Sequence, residues 1–170
     1  IMQLHSPTYD DLVHGDGIEE LKRAQEQGKI RFVSLSADDD AAVRAVEMGE
    51  FDTLQISYNV LQQEPTQIIA AARAIDMGII IKEPLAQVAF EKPRPEGEAQ
   101  RWELAQKRLA PGVIGDLTRV EASLRWLLGD TDVHTAIVGT TNIQHLQDNI
   151  DSVGRGPLPN DTTQAIAAAS

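Results

Sequence analysis

Residues 79–81 are three consecutive isoleucines, set between Gly78 and Lys82 directly after an alanine-rich stretch. A strand with one wet face alternates apolar and polar side chains. A run that is apolar at every position suits a strand covered on both faces. Helices give such cover, so this chain must supply amphipathic helices between its strands. Residues 65–76 read as one, opened by Pro65 and stopped by Gly78. Residues 17–27 place Ile18, Leu21 and Ala24 on one face and end at Gly28. Residues 38–48 begin with three aspartates, which suit a helix N-terminus, and end at Gly49.

Strands are read at 1–4, 30–35, 53–58, 79–81 and 133–138, with a helix over 142–153 and a short one over 162–169. The Pro-rich stretch 87–97, including Glu91-Lys92-Pro93-Arg94-Pro95, reads as a loop over one face of the sheet. Helical segments follow it around 101–109 and 117–128. The alternation predicts an α/β fold: a partial (β/α)8 barrel, with five parallel strands and intervening helices, forming a single domain over 1–170. A closed barrel has eight strands and typically about 250 residues. Five strands leave two bare edges, and this chain opens inside a strand. Two accounts fit: three further βα units belong to the protein outside these residues, or an open half-barrel covers its edges by self-association.

Composition narrows the partners. The formal net charge of −11 argues against a nucleic-acid or anionic-membrane surface, which needs Lys and Arg. It leaves room for a small anionic ligand held by a few local donors. No cysteine is present, which excludes disulfides, thiolate catalysis and Cys-based metal sites. No apolar run nears the roughly 20 residues of a membrane span, and a cytoplasmic protein is expected.

Several residues can carry chemistry, each beside a plainer role. His5 follows the first strand, at the carboxyl end where a barrel holds its active site. There it can polarise a carbonyl or pass a proton, or it is a histidine satisfied within the core. Ser36 and Gln55 end two further strands and suit either an amide ligand or strand-end capping. Lys82, beside apolar walls, suits a ligand contact, an ion pair with the adjacent Glu83, or a Schiff base. Val138-Gly139-Thr140-Thr141-Asn142 joins a strand to a helix. Small residues there let a phosphate approach free N–H groups, while Asn142 is equally a plain N-cap. His14, in a loop, and His134, at a strand start, read as surface residues, and no spacing forms a metal site. Asp38, Asp39 and Asp40 read as a helix-start cluster. Trp102 and Trp126 read as core.

Taken in order, several segments resemble the second half of the aldo-keto reductase family. Gly28-Lys29-Ile30-Arg31-Phe32-Val33-Ser34-Leu35-Ser36 resembles its strand five, and Phe51-Asp52-Thr53-Leu54-Gln55-Ile56-Ser57-Tyr58-Asn59 its strand six. GIIIKEPLA from Gly78 resembles strand seven of bacterial members, and ASLRWLL from Ala122 the penultimate barrel helix. TAIVGTTNIQHLQDNI from Thr135 resembles strand eight and the cofactor-binding helix. The resemblance covers nearly the whole chain.

It implies an oxidoreductase that reduces small carbonyl compounds to alcohols with NADP(H), with NAD(H) as the alternative. The family's Asp, Tyr and Lys lie on its first three strands, which this chain does not match; its His matches His5. By the same resemblance Ser36 and Gln55 hold the nicotinamide carboxamide and Lys82 touches the cofactor, where many members have an aromatic residue. Val138, Gly139, Thr140 and Thr141 meet the phosphates, and Gln144, His145, Asp148 and Asn149 face the adenosine end. Three departures stand out: Ala37 where Asn is usual, Gly139 where Lys is frequent, and His145 where Arg often clamps the 2′-phosphate. The 170 residues alone are then the cofactor-binding half and inactive or nearly so. A non-catalytic nucleotide-binding or regulatory barrel is the second reading, and a Schiff-base lyase using Lys82 the third.

Overall fold

A computed structural model describes residues 1–88 and 99–169. Most of the loop expected over 87–97 lies outside them. The described residues group into two compact units. The first takes Ile1–Ser57, Glu64–Lys82 and Asp132–Thr135; the second takes Tyr58–Gln63, Glu83–Thr131 and the chain from Ala136.

The first unit is built on parallel strands β1 (Met2–His5), β2 (Val33–Ser36), β3 (Thr53–Ser57) and β4 (Gly78–Lys82), in that spatial order. Helices α1 (Tyr9–His14) and α2 (Gly17–Glu26) follow β1, α3 (Asp39–Met48) follows β2, and α4 (Thr66–Ala74) follows β3. A short β5 (Thr135–Ala136) adds to the β4 edge of the sheet. His134 prepares that pairing: its N–H donates to Ile79 O at 3.2 Å, and its Nδ1 accepts from Ile79 N at 2.9 Å.

Register explains the isoleucine run. Leu4, Leu35, Leu54 and Ile79 form one cross-strand row, and Ile56 pairs with Ile81. Leu35, Leu54, Ile56, Ile79 and Ile81 have no exposed surface. Side chains alternate along a strand, so these residues share the helix-covered face. Ile80 and the polar strand residues take the other. Gly78, expected only as a helix stop, has a second reason to be glycine. A Cβ there would meet Thr53 Cγ2 at 3.0 Å, so that side chain would have to give by a few tenths of an ångström.

The second unit holds a 3-10 turn at Ala86–Val88 and helices α5 (Ala99–Arg108), α6 (Pro111–Ile114), α7 (Arg119–Leu128), α8 (Ile143–Gly154) and α9 (Asn160–Ala168). Trp126 is buried, with its ring centroid 5.3 Å from that of Tyr58; Trp102 is half-buried. Arg108 ties distant parts of this unit together, donating to Val60 O at 2.6 Å and Ala169 O at 2.9 Å. Arg125 does the same after α8, donating to Gly156 O and Pro157 O. Among the described residues no helix is long and apolar enough to cross a membrane.

Candidate functional site

In the first unit the polar face of the sheet is stacked in rows by register. The lowest row is Gln3, Ser34 and Thr53; Gln3 Nε2 and Thr53 Oγ1 both donate to Ser34 Oγ, at 3.1 and 2.6 Å. The next row, toward the carboxyl ends, is His5, Ser36, Gln55 and Ile80. Gln55 Nε2 donates to Ser36 Oγ at 3.0 Å. Ser36 is fully buried, Gln55 half-buried and His5 exposed. Ser36 therefore fixes the Gln55 amide, and Gln55 and His5 are the members that a ligand reaches. The hydrogen bond uses a Gln55 donor and leaves its Oε1 as an acceptor.

A third row sits at the strand ends, where Asp38, Ser57 and Lys82 meet. Lys82 Nζ lies 2.8 Å from Asp38 Oδ2. The Ser57 N–H donates to Asp38 Oδ1 at 2.8 Å, and Ser57 Oγ to Oδ2 at 3.2 Å. Burial pushes the Asp38 carboxyl up, but Lys82 and the Ser57 N–H outweigh it and hold the group below the usual carboxylate range. Lys82 thus pairs with Asp38, while the adjacent Glu83 accepts from Gln87 Nε2 at 2.7 Å. Asp38 is more than a helix-start charge. It lies two residues beyond Ser36, hence on the same face, and that period of two is the signal that would have revealed it. Non-glycine residues with left-handed backbone cluster here: Ser6 after β1 (φ 51°), Asp39 after β2 (φ 49°) and Glu83 after β4 (φ 54°). Each such residue costs on the order of 1 kcal/mol, the kind of strain that collects at functional sites.

In the second unit a cavity of about 510 Å³ is lined by Val138, Gly139, Thr140, His145, Asp148 and Asn149, together with residues of α7 and Arg155. Thr141 and Gln144 do not line it. Gln144 instead supports the helix: its N–H donates to the N-cap Asn142 Oδ1 at 2.9 Å and its Nε2 to Asp148 Oδ1 at 2.8 Å. Nothing lies within 4 Å of a Cβ built on Gly139, so its backbone is open to a ligand. The volume falls in the range of roughly 300–1,000 Å³ usual for cofactor sites.

One wall of this cavity holds a charge cluster that no sequence motif marks. Glu121, on α7, is buried and accepts from Arg125 Nη1 at 2.9 Å and Arg155 Nη1 at 2.7 Å. Burial raises its pKa, yet the hydrogen bonds from Arg155 and Arg125 hold it below the ordinary glutamate range. The i,i+4 spacing of Glu121 and Arg125 was legible; the partner on the far side of α8 was not. His14, which closes α1, and His134 are both exposed. Among the described residues no three His, Asp or Glu side chains gather as metal ligands.

Comparison with known proteins agrees with this architecture. The family model described as "Aldo/keto reductase family" matches residues 1–170. An uncharacterized oxidoreductase of Bacillus subtilis, YqkF, is 24% identical over 184 aligned positions, covering 98% of this chain and 58% of the relative. A probable aldo-keto reductase of Glycine max is 24% identical over 157 positions, covering 80% of this chain and 45% of its own length. Among solved structures, aldo-keto reductase AKR11C1 from Bacillus halodurans superposes with TM-scores of 0.79 (holo form) and 0.81 (apo form), at 21% and 22% identity. Each superposition covers 99% of this chain, and 61% and 62% of that structure. The chain therefore spans about half to three-fifths of the length of these relatives.

Proposed function

The chain belongs to the aldo/keto reductase family, and from that premise we propose that it holds the cofactor of an oxidoreductase that reduces small carbonyl compounds to alcohols. The observation that carries the reading is the row of His5, Ser36 and Gln55 at the carboxyl ends of β1, β2 and β3. A nicotinamide cofactor bound there supplies a hydride. Gln55, fixed by Ser36, offers Oε1 to the carboxamide NH₂ and so holds one ring face toward the substrate. His5 donates to the substrate carbonyl oxygen, where negative charge develops. Lys82, paired with Asp38 at 2.8 Å, lies at the same end of the sheet. That contact engages Nζ with a carboxylate rather than leaving it open to a carbonyl, which counts against the lyase reading.

Cavity size and the open backbone at Gly139 suit the phosphate and adenosine end of NADP(H) or NAD(H). Of the four catalytic residues of the family, only His5 has a match within residues 1–170. A barrel that binds nucleotide without turnover is the second reading. One experiment separates the readings. Carbonyl-dependent oxidation of reduced cofactor is measured on the complete protein and on a His5→Ala variant, beside cofactor binding. The catalytic reading expects His5→Ala to lower kcat about 10- to 100-fold with binding retained; binding with no turnover in either protein would leave only the second reading. The outer edge of β1, flanked by exposed Ile1, Met2 and Phe32, is further proposed as a self-association edge. Sedimentation of the chain over a hundredfold concentration range would show it, and a monomer throughout would dismiss it.

A further inference from the structure

The cavity of the second unit has a charge pattern that cofactor binding in general does not require. From Trp126 to Gly154 the chain contains no Lys or Arg. Among the described residues that line the cavity, Arg155 bears the only guanidinium or ammonium, and it is engaged with Glu121 at 2.7 Å. Three carboxylates stand against it: Glu121, Asp148 and Asp151. Both oxygens of Glu121 are taken by guanidinium groups. Asp148 and Asp151 lie one turn apart on α8, and each accepts a glutamine amide from four residues earlier through Oδ1, at 2.8 and 2.9 Å. That leaves each an Oδ2 as an acceptor.

We infer that this cavity selects the dinucleotide whose adenosine ribose keeps a 2′-hydroxyl, NAD(H), over its 2′-phosphorylated counterpart, with Asp148 and Asp151 as the specificity-determining carboxylates. The inference rests on the reading that this cavity takes the adenosine end. A phosphate monoester carries between one and two negative charges at neutral pH and calls for Arg or Lys donors. Here it meets carboxylates. Recruiting Arg155 would strip the buried Glu121 of one of its two partners, which is costly. His145 offers a single imidazole and is no substitute for a guanidinium fork. A 2′-hydroxyl, by contrast, donates to a carboxylate, the recognition that acidic residues give the ribose of NAD elsewhere.

The test is titration of the protein carrying residues 1–170 with NADH and with NADPH, followed by nucleotide fluorescence or calorimetry. NADH is expected to bind at least about tenfold more tightly at low salt, with the gap narrowing as ionic strength screens the repulsion. The double variant D148N/D151N is expected to bring the two affinities within about threefold. His145→Arg, which adds a fork donor without touching the carboxylates, is expected to move the ratio in the same direction. Equal or tighter binding of NADPH by the unaltered protein overturns the inference and leaves the reading of the cavity standing. Binding of neither nucleotide overturns that reading as well. An unchanged preference in D148N/D151N, with NADH still bound, overturns the assignment to these two carboxylates.

Discussion

Glu121 is the residue on which the second unit is most exposed to a single change. Its side chain is 8% exposed and accepts from Arg125, itself 13% exposed, and from Arg155, which is 59% exposed. Glu121→Gln keeps the shape and removes the charge, so Arg125 is left as a largely buried guanidinium without an anion. Breaking a buried pair costs roughly 3–5 kcal/mol, and the exposed Arg155 contributes little of that. The Gln amide oxygen still accepts, and Arg125 keeps its bonds to Gly156 O and Pro157 O, so a smaller destabilisation of about 2 kcal/mol is expected, read as a lower urea midpoint at unchanged slope; a midpoint within error of the parent would mean that the cluster is not a stabilising one. At this scale the sequence was legible where a residue's role is fixed by its place on a strand. His5, Ser36 and Gln55 stand at the ends of β1 and β2 and near the end of β3, as their order suggested. The period of two from Ser36 gives the face of Asp38 but not its ion pair, and nothing local marks Glu121, because each is defined by a partner far along the chain. Lys82 lies across two strands from Asp38, and Arg155 follows α8. A helix-start aspartate and a helix-surface glutamate look alike in sequence, whatever they later meet.

Elements were read more securely than their ends. The rhythm of apolar strands and amphipathic helices is set by periods of two and near four, which survive any tertiary context. The ends are set by which backbone groups find partners. Residues 30–32 precede β2, whose first paired residue is Val33; its N–H is taken by Asp52 Oδ2 at 2.7 Å, a contact that no local pattern announces. The last strand is Thr135–Ala136 rather than 133–138; at its start the ring of His134 takes the Ile79 N–H. Helices α1 and α6 leave no periodic signal in the sequence, because each is under two turns long. The helix-covered face of the sheet gives the element-scale prediction. Ile81 has no exposed surface and lies in β4, between helices and sheet. Ile81→Ala is expected to cost about 3 kcal/mol through lost burial and a residual cavity, whereas Ile80→Ala, on the polar face and half-buried, costs about 1 kcal/mol. Equal losses in chemical denaturation would contradict the assignment of the two faces.

For the whole chain, 26 acidic against 15 basic residues set two pH effects in opposition. Lowering the pH from neutrality titrates exposed carboxylates and relieves self-repulsion, a gain that is largely screened near 0.15 M salt. Asp38 and Glu121 work the other way. Both are held below the ordinary range in the folded protein, so between their folded and unfolded values the unfolded chain binds more protons and stability rises with pH. The stability they supply is complete above their unfolded values of about 4 and is lost as the pH falls through the folded ones. The local effect is unscreened by salt to the extent that the groups are buried, so it dominates in acid. Urea midpoints are therefore expected to stay level or rise slightly from pH 7 to about 5 and to fall steeply below about 4. The fall should be shallower in D38N and in E121Q, which have already given up one of the two contributions, although both start from a lower midpoint. A parent whose midpoint at pH 3 equals that at pH 6 would show that neither carboxylate is held as its contacts imply. A fall equally steep in both variants would place the acid sensitivity in other groups.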